Sequence, residues 1–159
     1  MRSPLVSPVE AVIRPLRVLI VEERQHLRKL IRSLLVNIGI KKIDEVGDGI
    51  AGVEAVKALD PDLVILAWEL PLLNGAELLR IIRAPGVVAK PNLPIIMFGA
   101  TTNGRRVAEA KRLGVSSYLV LPISANMLRE RIISSLGPLP QPTAPEAKAD
   151  GPDGVVFIG

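Results

Sequence analysis

The sequence predicts an α/β fold in which a five-stranded parallel, doubly wound sheet carries helices on both faces. Short apolar runs of four to six residues alternate along the chain with stretches of helical period, which is the pattern of successive strand–helix units. Five such units follow one another. The runs are rich in Val, Ile and Leu at every position, as expected of strands that are buried on both faces.

Residues that start or stop a helix set the element boundaries in the first half of the chain. The strand predicted at 18–21 precedes a helix whose apolar residues recur every three or four positions from 27 to 38. Gly39 ends this helix, because glycine readily adopts the left-handed conformation of a helix C-terminus. A short strand at 42–46 leads to Asp48, an N-cap for a helix that Pro61 stops.

The second half of the chain repeats this alternation. A strand at 63–67 is followed by Asn74 and Gly75, which open a helix that runs to residue 83, and the segment 84–93 is a loop. A strand at 94–98 leads to a helix at about 103–113 that ends at Gly114. The last strand, at 118–121, precedes a helix from Ser124, a suitable N-cap, to about residue 136.

Length and composition favour one domain with two tails. At 159 residues, we expect an N-terminal extension at 1–15, a folded domain at 16–136 and a proline-rich linker with a short apolar tail at 137–159. No apolar run approaches the length of a membrane span, and the N-terminal prolines interrupt any signal-peptide core. The chain contains no cysteine, which fits the cytoplasm.

Several positions follow the ends of predicted strands and therefore meet at one edge of the sheet. Glu22 and Glu23 follow the first strand, Ala67 ends the third, Gly99 follows the fourth and Leu121 ends the fifth. In open α/β sheets, ligands bind in the crevice outside the carboxyl ends of the strands. This crevice is the candidate functional site.

Residues 16–136 carry an ordered set of motifs that resembles the response-regulator receiver domain, which has a flavodoxin-like (βα)5 fold. The segment 62–71 is similar to the family's third strand and loop, where an aspartate accepts a phosphoryl group from a histidine kinase, but Ala67 stands in its place. The resemblance also implies two acidic residues that hold Mg²⁺, a Thr or Ser hydroxyl and a Lys cation. The corresponding residues here are Glu22 with Glu23, Gly99 and Leu121.

These replacements predict that the phosphorylation pocket is degenerate. Ala67 has no lone pair and cannot act as a nucleophile, and the two glutamates add a methylene to each arm of a site that demands near-ideal octahedral geometry. Glu69 either adds a third carboxylate to the pocket, which would raise a pKa or recruit a cation, or points to solvent. We therefore expect no enzymatic activity, no cofactor and no catalytic or metal site.

The resulting hypothesis is a phosphorylation-independent pseudo-receiver that acts through protein–protein contacts in bacterial two-component or chemotaxis-like signalling. Its expected partners are a histidine kinase, another regulator or signalling protein, or a second copy in a homodimer. A divergent receiver that keeps some phosphorelay function is one alternative, but Asp62 lies at the far end of its strand. A nucleic-acid-binding regulator is a second alternative, suggested by the net charge of +4. The scarcity of aromatic residues, which stack on bases, disfavours it.

The resemblance places partner contacts on the fourth helix, fifth strand and fifth helix of the domain. The candidate interaction residues are Trp68 beside the crevice, Arg105, Arg106 and Arg112 on the fourth helix, Tyr118 on the fifth strand, and Phe157 and Ile158 in the tail. In receivers the aromatic residue at the position of Tyr118 moves inward with the phosphoryl-bound hydroxyl, which Gly99 lacks. Arg24, Arg28 and Arg32 form a basic stripe on the first helix of the domain, either a partner-binding face or a solvated one, and His26 is expected at the surface.

The last residues suggest a tether with a short β-prone hook. Prolines at 138, 140, 142 and 145 favour an extended spacer, and the apolar run 155–158 either adds to a sheet edge or frays.

Overall fold

The computed structural model describes residues 7–100 and 103–137, together with the backbone of 155–157. The helices are α1 (Pro8–Ile13), α2 (Gln25–Ile38), α3 (Gly49–Leu59), α4 (Gly75–Arg83), α5 (Gly104–Arg112) and α6 (Ala125–Ser135). The strands are β1 (Arg17–Val21), β2 (Lys42–Val46), β3 (Leu63–Ala67), β4 (Ile95–Gly99), β5 (Ser117–Val120) and β6 (Val155–Phe157). No helix among the described residues is long and apolar enough to cross a membrane.

The strands form one sheet in the order β2-β1-β3-β4-β5-β6. The first five strands are parallel, which confirms the predicted fold class, and β6 is antiparallel to β5. The register aligns Ala67 with Phe98 and Gly99 with Val120. The carboxyl ends of β1, β3, β4 and β5 therefore meet at one edge, as the sequence predicts.

Two apolar layers cover the two faces of the sheet. One layer includes residues of α1, α2 and α6, such as Ile31 and Ile132, and the other includes residues of α3, α4 and α5, such as Leu78 and Ala110. All the residues of β3 and β4 are buried. Burial on both faces explains why these strands are apolar at successive positions.

The predicted helix boundaries agree with the structure to within one or two residues because their caps are local. The side chain of Asp48 accepts a hydrogen bond from the amide of Ala51 at 2.7 Å, and those of Asn74 and Ser124 cap α4 and α6. Gly39 ends α2 with φ 114°, in the left-handed region that favours glycine.

Helix α1 lies within the predicted N-terminal extension at 1–15, for which the sequence-based prediction includes no helix. Ser7 and Glu10 form a reciprocal capping box, with Pro8 in the first turn. Ile13 is only 1% exposed and belongs to the apolar layer that contains α2 and α6. The sequence signal, Ser-Pro-Val-Glu, was present but short.

The C-terminal hook pairs with the sheet, as one of the two predictions for it requires. Val155–Phe157 forms β6 on the outer edge of β5. The predicted contact residue Ile158 and the proline-rich spacer at 138–154 lie outside the described residues.

Candidate functional site at the carboxyl edge of the sheet

Backbone hydrogen bonds between adjacent strands hold the residues of the predicted pocket next to one another. The amide of Trp68 donates to the carbonyl oxygen of Phe98 at 2.9 Å, and the amide of Leu121 donates to that of Gly99 at 3.0 Å. The amide of Glu22 donates to the carbonyl oxygen of Val46 at 3.1 Å. The edge is thus a continuous surface formed by the residues that follow the strands.

Glu22 is completely buried, and Arg24 satisfies its carboxylate. The Nε of Arg24 donates to Oε2 of Glu22 at 3.0 Å, its Nη2 donates to Oε1 at 3.2 Å, and its backbone amide also donates to Oε2. The hydrogen bond with Glu22 raises the pKa of Arg24, so that the guanidinium remains charged. A charged partner with good hydrogen-bond geometry is what a buried carboxylate requires.

This arrangement does not fit the divalent cation that the resemblance implies. Both oxygens of Glu22 already accept hydrogen bonds from Arg24, Glu23 is exposed and Ala67 offers no oxygen. Within residues 7–100 and 103–137, no three His, Asp or Glu side chains form a cluster that could hold a metal. The guanidinium of Arg24 supplies the positive charge beside Glu22.

Ala67 lies in the apolar core at the end of β3. Its side chain is only 2% exposed and belongs to the same layer as Ile65 and Phe98. The following turn approaches it closely, since a Cβ atom at Gly75 would clash with the carbonyl oxygen of Ala67. The position therefore contributes a methyl group and no polar function to the site.

Tyr118 points inward and fills the space beside Gly99. The tyrosine is fully buried, and a Cβ atom at Gly99 would overlap its hydroxyl oxygen. This hydroxyl has no hydrogen-bond partner among the described residues. Burial raises the pKa of the Tyr118 phenol, although the nearby Arg106 guanidinium opposes that shift without the geometry of a hydrogen bond. Tyr118 is therefore not a surface contact residue, contrary to its inclusion among the candidate interaction residues.

The side chains of Trp68 and Arg106 pack in succession on the ring of Tyr118. The ring of Trp68 meets that of Tyr118 edge to face at a centroid distance of 6.4 Å. The guanidinium of Arg106 lies 5.0 Å from the centroid of the Trp68 ring and 3.4 Å from the carboxylate of Glu69. Such a cation–π contact stabilises an arrangement by about 0.5–1 kcal/mol at a partly exposed site. Trp68 is partly buried.

Glu69 takes the solvent-facing alternative of the two that the sequence left open. Its side chain is 70% exposed, and its ion pair is with Arg106. It does not complete an acidic cluster with Glu22 and Glu23.

Leu121 turns toward α2 and lines an apolar surface groove. The groove has a volume of about 290 Å³ and is lined by Leu27, Leu30, Ile31, Leu34, Leu121, Pro122 and Ile123. Half of the Leu30 side chain is exposed there. The position that the resemblance assigns to a cation is thus part of an apolar surface.

The remaining predicted residues fall into two groups. Arg105, Arg112 and His26 are exposed, as expected. Arg28 and Arg32 instead form ion pairs with Glu45 at 3.2 and 3.0 Å. The basic stripe on α2 is therefore occupied by contacts within the chain.

Sequence reasoning missed two residues of the edge. The role of Arg24 was hidden because the stripe on α2 was interpreted as a surface feature, although the spacing Glu22-Glu23-Arg24 allows a short-range contact. Leu72, in the loop between β3 and α4, is 74% exposed and has φ 71°. A left-handed conformation is uncommon for leucine, and no local motif predicts it.

We predict that Gly99→Ser displaces Tyr118, because the added Cβ would clash with the phenol oxygen. The chain has a single tyrosine, so its ionisation can be followed by ultraviolet absorbance. In the wild type the phenol should ionise above its usual pKa of about 10, because burial raises that pKa. Since the folded pKa is raised, Tyr118 favours folding at lower pH, and this contribution is lost as pH rises through the folded pKa.

In Gly99→Ser, ionisation should occur nearer to the ordinary value, and the thermal midpoint should fall. Gly104→Ala is the matched control, since a Cβ atom there meets nothing within 4 Å. An unchanged titration curve in Gly99→Ser would show that the space beside Gly99 does not determine where Tyr118 lies.

We also predict that Arg24→Met lowers the free energy of unfolding by about 1–3 kcal/mol, the cost of leaving a buried polar group unsatisfied. Lys29→Met is the control, because Lys29 is an exposed cation on α2, the helix that follows Arg24.

We further predict that millimolar Mg²⁺ leaves the melting temperature of the wild type nearly unchanged. A tenfold excess over the dissociation constant would add about 1.4 kcal/mol, so a clear Mg²⁺-dependent rise that Glu22→Gln abolishes would contradict this prediction.

Comparison with known proteins agrees with the fold. Residues 18–133 match the response regulator receiver domain. The chain is 30% identical over 125 residues to chemotaxis protein CheY-3 of Vibrio cholerae, an alignment that covers 78% of this chain and 95% of that protein. It is also 30% identical over 117 residues to chemotaxis protein CheY of Pseudomonas aeruginosa, covering 74% and 93%.

The solved structure of the Francisella response regulator 1452 receiver domain superposes with a TM-score of 0.65. It has 23% sequence identity, covers 75% of this chain and 96% of its own, and therefore supports the fold alone. The family match spans most of the chain, and the chain accordingly belongs to the response regulator receiver domain family.

Proposed function

We propose that this chain is a phosphorylation-independent pseudo-receiver, which acts as a protein–protein interaction module in two-component or chemotaxis-like signalling in the bacterial cytoplasm. The observation that carries the proposal is Ala67 at the carboxyl end of β3. Its buried methyl group occupies the position of the family's phosphoacceptor and cannot attack a phosphoryl donor. On this proposal, the domain has no enzymatic activity and needs no cofactor.

The neighbouring residues support the same conclusion independently. Gly99 has no hydroxyl, and the space beside it is filled by Tyr118. Leu121 lines an apolar groove and brings no cation to the edge. Glu22 is neutralised by Arg24 within the chain. A phosphoryl group at this edge would thus meet no nucleophile, and the guanidinium groups of Arg24 and Arg106 there are already paired with Glu22 and Glu69.

The exposed charges of α5 suggest what kind of partner surface fits. Arg105, Lys111 and Arg112 are exposed and form no ion pair among the described residues. The only acidic residue of this helix, Glu109, is already paired with Arg80 at 2.7 Å. We propose that an acidic surface of a signalling protein, such as a histidine kinase or another regulator, docks on this helix, or that a second copy does so in a homodimer.

A divergent but active receiver would need another phosphoacceptor near the edge. Asp62 lies at the amino end of β3, where it accepts hydrogen bonds from the amide of Arg17 at 2.9 Å and from Lys90 at 3.1 Å. Although burial alone would raise the pKa of Asp62, these bonds and the charge of Lys90 lower it. The Asp62 carboxylate thus stabilises the amino edge of the sheet, opposite the carboxyl edge where the candidate site lies.

Nucleic-acid binding has less support than protein binding. Aromatic rings that stack on bases have to be accessible, but Tyr118 is buried and the Trp68 ring already faces Arg106. Binding to nucleic acid would fall steeply with salt, so titration with DNA and with RNA at several salt concentrations tests that alternative directly.

Incubation with acetyl phosphate and Mg²⁺ followed by intact-mass measurement tests the proposal. The wild type should show no labile phosphoryl mass. Ala67→Asp restores the nucleophile alone and should label weakly at most, because the hydroxyl and the cation are still absent. A labile phosphoryl group on an acidic residue of the wild type would refute the proposed function, and efficient labelling of Ala67→Asp would show that the hydroxyl and the cation matter less than stated.

A further inference from the structure

Strand β5 is the last of the five parallel strands, and some of its backbone groups point away from its neighbour β4. The amide of Ser116 donates to the carbonyl oxygen of Ile95 in β4 at 2.8 Å. Because successive amides point to opposite sides of a strand, the amides of Ser117 and Leu119 point away from β4. An open edge of this kind is a template for another extended segment.

The chain itself provides such a segment. Strand β6 pairs antiparallel with β5, and the register places Phe157 opposite Ser117 and Val155 opposite Leu119. These are the two residues of β5 whose amides face outward. The pairing therefore uses the free backbone groups of the edge.

The length and attachment of β6 make it a displaceable occupant. It has only three residues, and residues 138–154 separate it from the domain. The effective concentration of a tethered segment is set by the length of its linker and is of the order of millimolar for a short flexible one. A partner segment that forms more backbone contacts can compete with it.

The antiparallel direction also defines the chemistry of a suitable partner segment. The amino end of the docked strand lies opposite Leu119, toward the edge where α5 begins with Arg105 and Arg106. An acidic lead-in followed by β-prone apolar residues is thus complementary to this surface. The chain's own sequence has Asp150 and Asp153 ahead of Val155.

We propose that the outer edge of β5 is a strand-docking site, which the chain's own Val155–Phe157 occupies and which an extended, acidic-then-apolar segment of a partner protein displaces. Such strand addition takes its affinity from main-chain hydrogen bonds and its specificity from flanking contacts. The inference rests on the pairing of β6 and does not depend on whether the domain is phosphorylated.

The test uses full-length variants and a labelled synthetic peptide of residues 150–159. Phe157→Pro removes the backbone N–H opposite Ser117 and should release β6. Val156→Pro is the matched control, because its N–H points away from β5, and an edge strand tolerates proline on that side. Peptide binding is measured by fluorescence anisotropy, and hydrogen exchange of the β5 amides is measured in parallel.

We expect Phe157→Pro to bind the peptide at least about tenfold more tightly than the wild type, as removal of a tethered competitor implies, with faster exchange at Ser117 and Leu119. Val156→Pro should resemble the wild type. A peptide with Asp150→Asn and Asp153→Asn should bind Phe157→Pro several-fold more weakly.

Equal binding by the wild type and Phe157→Pro, or no binding by Phe157→Pro, would overturn the proposal. An unchanged affinity of the asparagine peptide would overturn its acidic component. Light scattering tests the occupant, because a wild-type dimer that Phe157→Pro converts to a monomer would show that the tail docks on a second copy and would overturn its assignment to its own sheet. A labelled wild type in the acetyl phosphate experiment would leave these results unaffected.

Discussion

When this chain folds, the charge of the Glu22 carboxylate has to be neutralised, because Glu22 directly follows β1 and has no access to solvent. An isolated buried charge is too costly to keep, so that it is paired or protonated. Arg24, two residues along the chain, supplies the pairing guanidinium and keeps its own head partly in water. The negative charge of Glu22 is therefore balanced by a residue two positions away in the same chain.

This balance is consistent with the neutral residues around it. Relative to the pattern that the resemblance implies, Ala67 and Leu121 remove one negative and one positive charge, so this pair of changes leaves the net charge of the edge unaltered. Gly99 and Tyr118 are complementary in volume, since the small residue leaves the space that the large ring occupies. Trp68 and Arg106 then cover that ring. The contacts of Gly99 with Tyr118, of Tyr118 with Trp68 and of Trp68 with Arg106 together favour one arrangement of the edge.

The fold could be predicted from the sequence because its signals are local and repeated. Caps such as Asp48 and Asn74 and stops such as Gly39 depend on a few neighbouring residues, and the apolar runs depend only on burial. The composition of the pocket could also be predicted, because the chain order of a parallel sheet determines which residues meet at its carboxyl edge. The side-chain contacts could not be predicted, because they depend on rotamers. Arg24 turning back to Glu22 and Tyr118 filling the space at Gly99 are examples, and a buried Ile13 in α1 required knowledge of tertiary packing.

We propose that the carboxyl edge is held in a single conformation that does not respond to phosphoryl donors. Relaxation-dispersion NMR of the Trp68 indole N–H and the Tyr118 amide measures exchange on the microsecond-to-millisecond timescale of such transitions. We expect flat dispersion profiles and unchanged chemical shifts when acetyl phosphate and Mg²⁺ are added. Dispersion at both sites that acetyl phosphate suppresses would contradict the account, since it would show that the edge has two states and that a phosphoryl donor selects one of them.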